Sequence, residues 1–394
     1  MHPIAIIGAG IGGLTCAAAL RRAGLPVRVF ERAPALGEVG AGLGMWTSAV
    51  RALRGLDIGA ELWPRSAPML WGEMASWRGR ILHRADVGAI TRALGADSYI
   101  LHRADLHAAI AAVVPAEVIT LDAACTGFAA DDDGVTVRFD RLPPVRASLL
   151  IGADGLNSVV RAGLWGAEPP RYSGETCFRG VARLAVEDLH TLREVQGPAQ
   201  RGSVCVLGPD RVYWWTAFPA PAGERAAPEV EHQMLRERYR GWPFGLEQAI
   251  DATPTEAILR NDLSDRPPIA RWSRGRVTLL GDAAHPTTPN LGQGAVMAIE
   301  DAVVLARALV AHPDLAAALA AYERERIPRS ARIVKMSLGF GRIAQWRHPA
   351  AVWLRELAAS RVPASVIEKT LRDQISYDAG RVEPADRLPR WLGS

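Results

Sequence analysis

The chain has 394 residues, more than one ordinary core serves, so two packed regions are expected. Hydrophobic residues make up 49% and charged residues 22%, the balance of a globular enzyme. The 46 basic and 42 acidic residues are scattered without a Lys/Arg block, which argues against a nucleic-acid or membrane-surface partner. Cys16, Cys125, Cys177 and Cys205 lie far apart with no C-x-x-C pair, and the nine histidines form no H-x-x-x-H pair, so neither a disulfide framework nor a metal centre is expected. No G-x-S-x-G elbow marks a serine hydrolase. No leader segment and no apolar run of about 18 residues is present, which makes the cytoplasm the expected address.

Pro3 to Ile7 reads as a buried strand ended by Gly8. Leu14, Ala17, Ala18 and Leu20 give a helical apolar face closed by Gly24, and Val27 to Phe30 is a second strand ended by Glu31: a βαβ unit. Val118 to Leu121 and Gly134 to Phe139 read as strands, the second after the turn Asp131-Asp132-Asp133-Gly134, and Leu149-Leu150-Ile151 as a short buried strand. From about Tyr172 the texture changes. Ser203 to Leu207 and Val212 to Phe218, joined through Gly208-Pro209-Asp210, suggest antiparallel hairpins, and Pro219 to Pro228 a loop. Val277 to Leu280 is a strand running into Gly281. Helices follow over Ala295 to Val310 and Leu315 to Arg342, with Pro328 a kink, and a helical tail runs to Ser394.

Gly8-Ala9-Gly10-Ile11-Gly12-Gly13 sits where the first strand meets the helix. Gly8 permits the tight turn, Gly10 lets a pyrophosphate approach the backbone, and Gly13 lets the helix pack on the sheet. The helix N-terminus offers N–H groups to the phosphates, and Glu31, with Arg32 beside it, stands where a carboxylate accepts ribose hydroxyls. The pattern indicates a dinucleotide without choosing FAD or NAD; its bland counterpart is a structural turn and a solvated acid.

Gly152-Ala153-Asp154-Gly155 through Arg161 and Gly281-Asp282-Ala283-Ala284-His285-Pro286 both follow short apolar strands. With Pro289-Asn290-Leu291-Gly292-Gln293-Gly294 and Ala298-Ile299-Glu300-Asp301-Ala302, the chain resembles the FAD-dependent aromatic-hydroxylase family of single-component flavoprotein monooxygenases. The resemblance covers residues up to about 345. It implies an α/β fold: a Rossmann-like FAD-binding domain, an inserted antiparallel β-sheet substrate domain, and C-terminal helices. On that pattern residues 1–72, 99–171 and 274–345 form the FAD domain, 73–98 and 172–273 the substrate domain, and 346–394 the tail.

The resemblance further implies FAD contacts at Asp154 and Asp282, flavin contact by Arg103 of Leu101-His102-Arg103, and backbone donors at Gly292, Gln293 and Gly294 beside the flavin ring, where they favour the anionic reduced flavin. An exposed helix-capping residue is the bland reading of Arg103. In the family a flavin C4a-hydroperoxide delivers oxygen to an electron-rich carbon, with NADH or NADPH as transient co-substrate. Where many relatives read Trp-Pro-Asn this chain reads Trp46-Thr47-Ser48, which bears on the loop at the flavin's dimethylbenzene side.

Arg201 and Tyr213 resemble in spacing an Arg and a Tyr at the substrate site of the urate-hydroxylase branch, and are the catalytic candidates. Against this stands a solvated strand end and an ordinary sheet residue. Arg179 of Cys177-Phe178-Arg179-Gly180 resembles the family's substrate-side Arg. Trp46, Trp214 and Trp215 are candidate pocket walls, although strand aromatics usually serve a core. His285 belongs to the shared signature and is expected to order the flavin loop. The partners expected are a small substrate and O2, with the chain a monomer or homodimer. The competing readings are an alkene or terpenoid epoxidase, a flavin dehydrogenase or reductase that does not use O2, and a non-catalytic flavin binder.

Overall fold

The computed structural model describes residues 2–37, 41–185, 190–208, 210–385 and 387–392. Strands β1 (Ile4–Ile7), β2 (Val27–Phe30), β8 (Ile119–Thr120), β12 (Leu149–Gly152) and β18 (Val277–Leu279) form one parallel sheet in the order β18-β12-β1-β2-β8. Ile4, Ala5, Ile6 and Ile7 are all buried, because a parallel sheet is covered on both faces and its central strand takes an unbroken apolar run. Helix α1 (Ile11–Arg22) follows β1. Helix α8 (Gly294–Ala311) packs against α1, against α2 (Thr47–Arg54) and against α9 (Leu315–Ala344), which runs unbroken through Pro328.

Two three-stranded sheets are antiparallel. One is β3 (Gly42–Met45), β7 (Tyr99–His102) and β4 (Ala67–Pro68); the other is β11 (Val145–Ala147), β10 (Val135–Phe139) and β9 (Cys125–Ala130). Helix α4 (Arg103–Ala111) continues β7, and α5 (Val159–Trp165) comes after β12.

The fourth sheet has seven strands, in the order β17 (Leu259–Asp265), β13 (Arg171–Arg183), β16 (Arg211–Pro219), β15 (Gln200–Gly208), β14 (Thr191–Gly197), β5 (Trp71–Ser76) and β6 (Ile81–Asp86). All its pairings are antiparallel except β14 with β5. Between β15 and β16 the anticipated turn includes Pro209, which lies outside the described residues; the flanking strands pair Val206 with Val212 and Cys205 with Tyr213.

Strand alternation gives this sheet two distinct faces. Phe178, Val206, Val212, Trp214 and Ala75 face helices α6 (Pro228–Arg238) and α7 (Leu246–Asp251) and form a second core with Leu235, Tyr239, Trp242 and Leu246. Trp214 is therefore core, its indole donating to Thr253, and not a pocket wall. The opposite face carries Glu175, Arg179, Arg201, Tyr213 and Trp215. The expected loop from Pro219 to Pro228 is shorter at both ends, since Pro219 finishes β16 and Pro228 opens α6, the first helical turn being where proline is tolerated. Helices α3 (Val87–Leu94), α10 (Pro349–Arg361) and α11 (Ala364–Ile375) complete the fold, and no helix among the described residues is long and apolar enough to cross a membrane.

Candidate active site

Backbone crowding fixes the first part of the site. Gly8 has φ +104°, and a Cβ there would stand 2.4 Å from the Ala153 carbonyl oxygen; one at Gly13 would stand 1.9 Å from the Gly8 carbonyl oxygen. Only glycine fits either place. Gly10 is the N-cap of α1, and that helix start has neither a side-chain cap nor an acidic residue in its first turn. Its N–H groups are thus left for an anion. Glu31 follows β2 and accepts from the backbone N–H of Ala9 at 2.7 Å and of Ala33 at 2.9 Å, which aims the carboxylate at the glycine loop. Arg32 beside it is exposed.

Asp154 follows β12. Its carboxylate accepts from Ser158 Oγ and from the N–H groups of Val159 and Val160, so it ties down the start of α5. Burial raises its pKa, and those hydrogen bonds oppose the rise. Asp282 follows β18. Protein surrounds its carboxyl and raises its pKa, with His285 and Arg103 pulling the other way, yet solvent reaches the side chain: it lines a recess. Arg103 opens α4; burial weakens its charge, and Asp282 restores part of it.

The stretch carrying Asp282 is anchored from beneath. His285 Nε2 lies 2.5 Å from Asp301 Oδ2, the Gly281 N–H donates to the same oxygen at 3.1 Å, and Arg326 Nε donates to Asp301 Oδ1 at 2.6 Å. Arg326 also donates to Glu300 at 2.8 Å, and Arg329 holds Glu300 through two bonds. Burial alone would raise the Asp301 carboxyl; His285 and Arg326 overcome it and hold it at about 2. His285 is thus a buried strut, 2% exposed and against Trp272, as expected of a residue that orders the loop.

Gly292 adopts φ +60° just before α8, and a Cβ there would lie 3.5 Å from Trp46 Nε1. Gln293 is 1% exposed, and neither atom of its amide has a hydrogen-bond partner among the described residues; nor has Trp46 Nε1. Buried polar atoms are rarely left so. With Gly8, Gly13, Glu31 and the Asp282 recess, these orphans fit a flavin dinucleotide lying from α1 to the Gly292–Gln293 turn. Gly294, the first residue of α8, lies beside Asp282, 3.9 Å from its Oδ1 at the Cβ position. The departure at Trp46-Thr47-Ser48 is locked in place: the Thr47 N–H donates to Ser98 Oγ, and Thr47 Oγ1 to the Ala96 carbonyl.

On the other face of the seven-stranded sheet, Arg201 is 1% exposed, which excludes a solvated strand end. Its Nη2 donates to Glu175 Oε2 at 3.0 Å and to Asn290 Oδ1, two residues before Gly292. Nη1 lies 3.8 Å from Glu194 Oε1, and the guanidinium sits 5.6 Å from the Trp215 ring centroid and 5.9 Å from that of Phe340. Among the described residues Arg201 Nε and Nη1 have no hydrogen-bond partner. Burial raises the Glu194 carboxyl, and Arg201 opposes it.

Tyr213 packs its ring against Gly42 of β3; burial raises its phenol, and Arg179 lowers it somewhat. Arg179 donates to Asn261 at 2.6 Å. Sequence reasoning missed Glu175 and Glu194, because their meeting with Arg201 depends on strand register. Among the described residues no cluster of His, Cys, Asp and Glu is suited to a metal ion.

Residues 1–337 match the family model for the FAD binding domain. The chain is 39% identical over 376 residues to the aurachin C monooxygenase/isomerase of Stigmatella aurantiaca, covering 95% of this chain and 98% of that one. It is 35% identical to the 6-hydroxynicotinate 3-monooxygenase of Bordetella bronchiseptica, over 85% of this chain and 90% of that one. Among solved structures, Klebsiella pneumoniae HpxO complexed with FAD and uric acid superposes with a TM-score of 0.88 at 27% identity, covering 96% and 98% of the two chains. The glycine crowding at the start of α1 and the Asp282 and Arg201 contacts near the Gly292 turn agree with these likenesses: the chain belongs to the FAD-dependent aromatic-hydroxylase family of flavoprotein monooxygenases.

Proposed function

We propose that the Arg201 face of the seven-stranded sheet receives an electron-rich aromatic or heteroaromatic substrate, which is hydroxylated with O2 and reducing equivalents from NADH or NADPH. The observation that carries this reading is the link from Arg201 through Asn290 to the Gly292–Gln293 turn, which joins the charged sheet face to the flavin end of the cradle. The names of the relatives, acting on 6-hydroxynicotinate or solved with uric acid, support a ring of that electronic kind.

FAD, when bound, accepts hydride and activates O2. Gly8, Gly10, Gly13 and Glu31 hold its dinucleotide end, Asp282 and Arg103 the recess between, and Trp46 and Gln293 the ring. Arg32 and Asp154 stand at the rim and the α5 turn. The nicotinamide nucleotide visits the same cleft transiently. Arg201 favours an anionic substrate oxygen, each unit of pKa lowering being worth about 1.4 kcal/mol, while Glu175 offsets part of its charge. Tyr213, kept a neutral phenol, donates a hydrogen bond, and Arg179 supports it. Trp215 and Trp46 exclude water from the ring. The division into FAD domain (1–72, 99–171, 274–345), substrate domain (73–98, 172–273) and tail, the cytoplasmic address, and a monomer or homodimer belong to this same reading.

The test is a panel of phenols and hydroxylated N-heteroaromatics offered to the FAD-loaded enzyme. Stimulated NADH or NADPH oxidation, O2 uptake and a product heavier by one oxygen are expected for the true class. Oxidation of the nucleotide without O2 uptake would replace hydroxylation by a reductase.

A further inference from the structure

Beyond the sheet face lies a cavity of 480 Å³, within the range of about 300–1,000 Å³ that small-molecule sites occupy. Met74 of β5, Phe340 and Ala344 of α9, and Leu354 and Ala358 of α10 line it, and Gln196 is its inner polar corner. Phe340 is shared with the proposed site, since the same ring stands 5.9 Å from the Arg201 guanidinium. The cavity therefore adjoins, across the Phe340 ring, the place where an aromatic head would lie.

Most polar groups on its wall are already engaged, the buried Arg355 Nε being without a partner among the described residues. Gln196 Nε2 donates to Glu194 Oε1 at 2.8 Å. Arg355 donates to the carbonyls of Ala344 at 3.1 Å and Gly197 at 2.9 Å. A polar ligand would find little to bond with, whereas a hydrocarbon gains from leaving water. At the outer end Ile343, Trp346 and Leu354 stand 47%, 39% and 52% exposed, an apolar mouth open to solvent. Isolated exposed apolar residues need no explanation, but three lining one cavity do.

We infer that this cavity is a tail site: the substrate is amphiphilic, with its aromatic head beneath Arg201 and Trp215 and a hydrocarbon tail of several carbons running past Phe340 to Leu354. The inference rests on the proposed seat of the aromatic head and adds what is attached to it.

The experiment measures Kd for 4-methyl-, 4-butyl-, 4-hexyl- and 4-octylphenol from the perturbed absorption of the oxidised, FAD-loaded enzyme, without turnover. Each added methylene should tighten binding about fourfold until the cavity fills. Ala358→Trp, at an exposed lining position, should weaken octylphenol more than about tenfold and methylphenol less than about twofold, because it removes only tail volume. Leu354→Glu should act the same way by placing a charge in the mouth. Affinity that does not change with chain length, while methylphenol binds and is hydroxylated, overturns the tail site and leaves the aromatic reading standing. A chain-length gain that survives both substitutions is non-specific partitioning and overturns it too. Failure of every phenol to bind removes the head and the tail together.

Discussion

Asp301→Asn tests the strut beneath Asp282. The carboxylate serves three donors, from Gly281, His285 and Arg326, and an isosteric amide has one acceptor oxygen and turns its NH2 group toward the others. Removing one partner from a buried ion pair costs about 3–5 kcal/mol, and Glu300 keeps a second carboxylate on Arg326, so the lower end of that range applies. The depressed carboxyl also makes the loss depend on pH. His285 and Arg326 hold the Asp301 carboxyl at about 2, below the usual carboxylate range, so its ionised form is favoured in the folded chain. Because the folded-state value is depressed, this stabilisation is complete above about pH 4 and is lost as pH falls toward 2. Urea unfolding followed by circular dichroism at pH 7 should show the variant less stable by about 3 kcal/mol. Between pH 4 and 2 the variant should also lose stability less steeply than the parent. A loss under about 1 kcal/mol at pH 7, with an unchanged acid limb, would refute the view that Asp301 is the ionised centre of the strut.

The protein should be yellow and release FAD on denaturation, and chromatography finding FMN would contradict the dinucleotide cradle at Gly8, Gly10 and Gly13. Asp282→Ala should weaken FAD by about 1–3 kcal/mol in a fluorescence titration, since a charged partner in the recess is lost. Arg201→Ala and Tyr213→Phe should keep their FAD yet form less product per NAD(P)H oxidised, with more hydrogen peroxide released; parent-like coupling in both would make these residues structural. Arg201→Ala should in addition lower stability, because Glu175 is left buried without its cation, and Tyr213→Phe should not.

The βαβ unit was legible because its signal is local: an apolar strand, three spaced glycines and a terminal acid fall within the first 31 residues. The Asp282 and Gly292–Gln293 turns were legible as motifs that follow short strands. Helix α6 was not, since Leu235 is its only buried residue and the apolar period has nothing to repeat. Nor was the partnership of β5 with β14, a parallel pairing between segments more than a hundred residues apart in a sheet whose other neighbours run antiparallel. The surroundings of Arg201 were hidden for the same reason. Its neighbours Glu175, Glu194, Asn290 and Phe340 come from four elements, and only register brings them to one guanidinium.

The order in which the sheets are stitched has a consequence for synthesis. Strand β1 leaves the ribosome first, but its sheet gains its edge strand β18 only at residues 277–279, and α1 gains its cover α8 only at 294–311. At about 5–20 residues per second, the apolar β1–α1–β2 unit waits roughly 15–60 s for the chain that shields it. The substrate sheet waits about two thirds as long, because β5 and β6 are made early and its far edge β17 ends at Asp265. Throughout that interval the nascent chain presents unpaired apolar strands, a template for aggregation that a chaperone would have to mask. The recess at Asp282 and the turn at Gly292 emerge only after β18, so FAD meets a complete site only once α8 has been made.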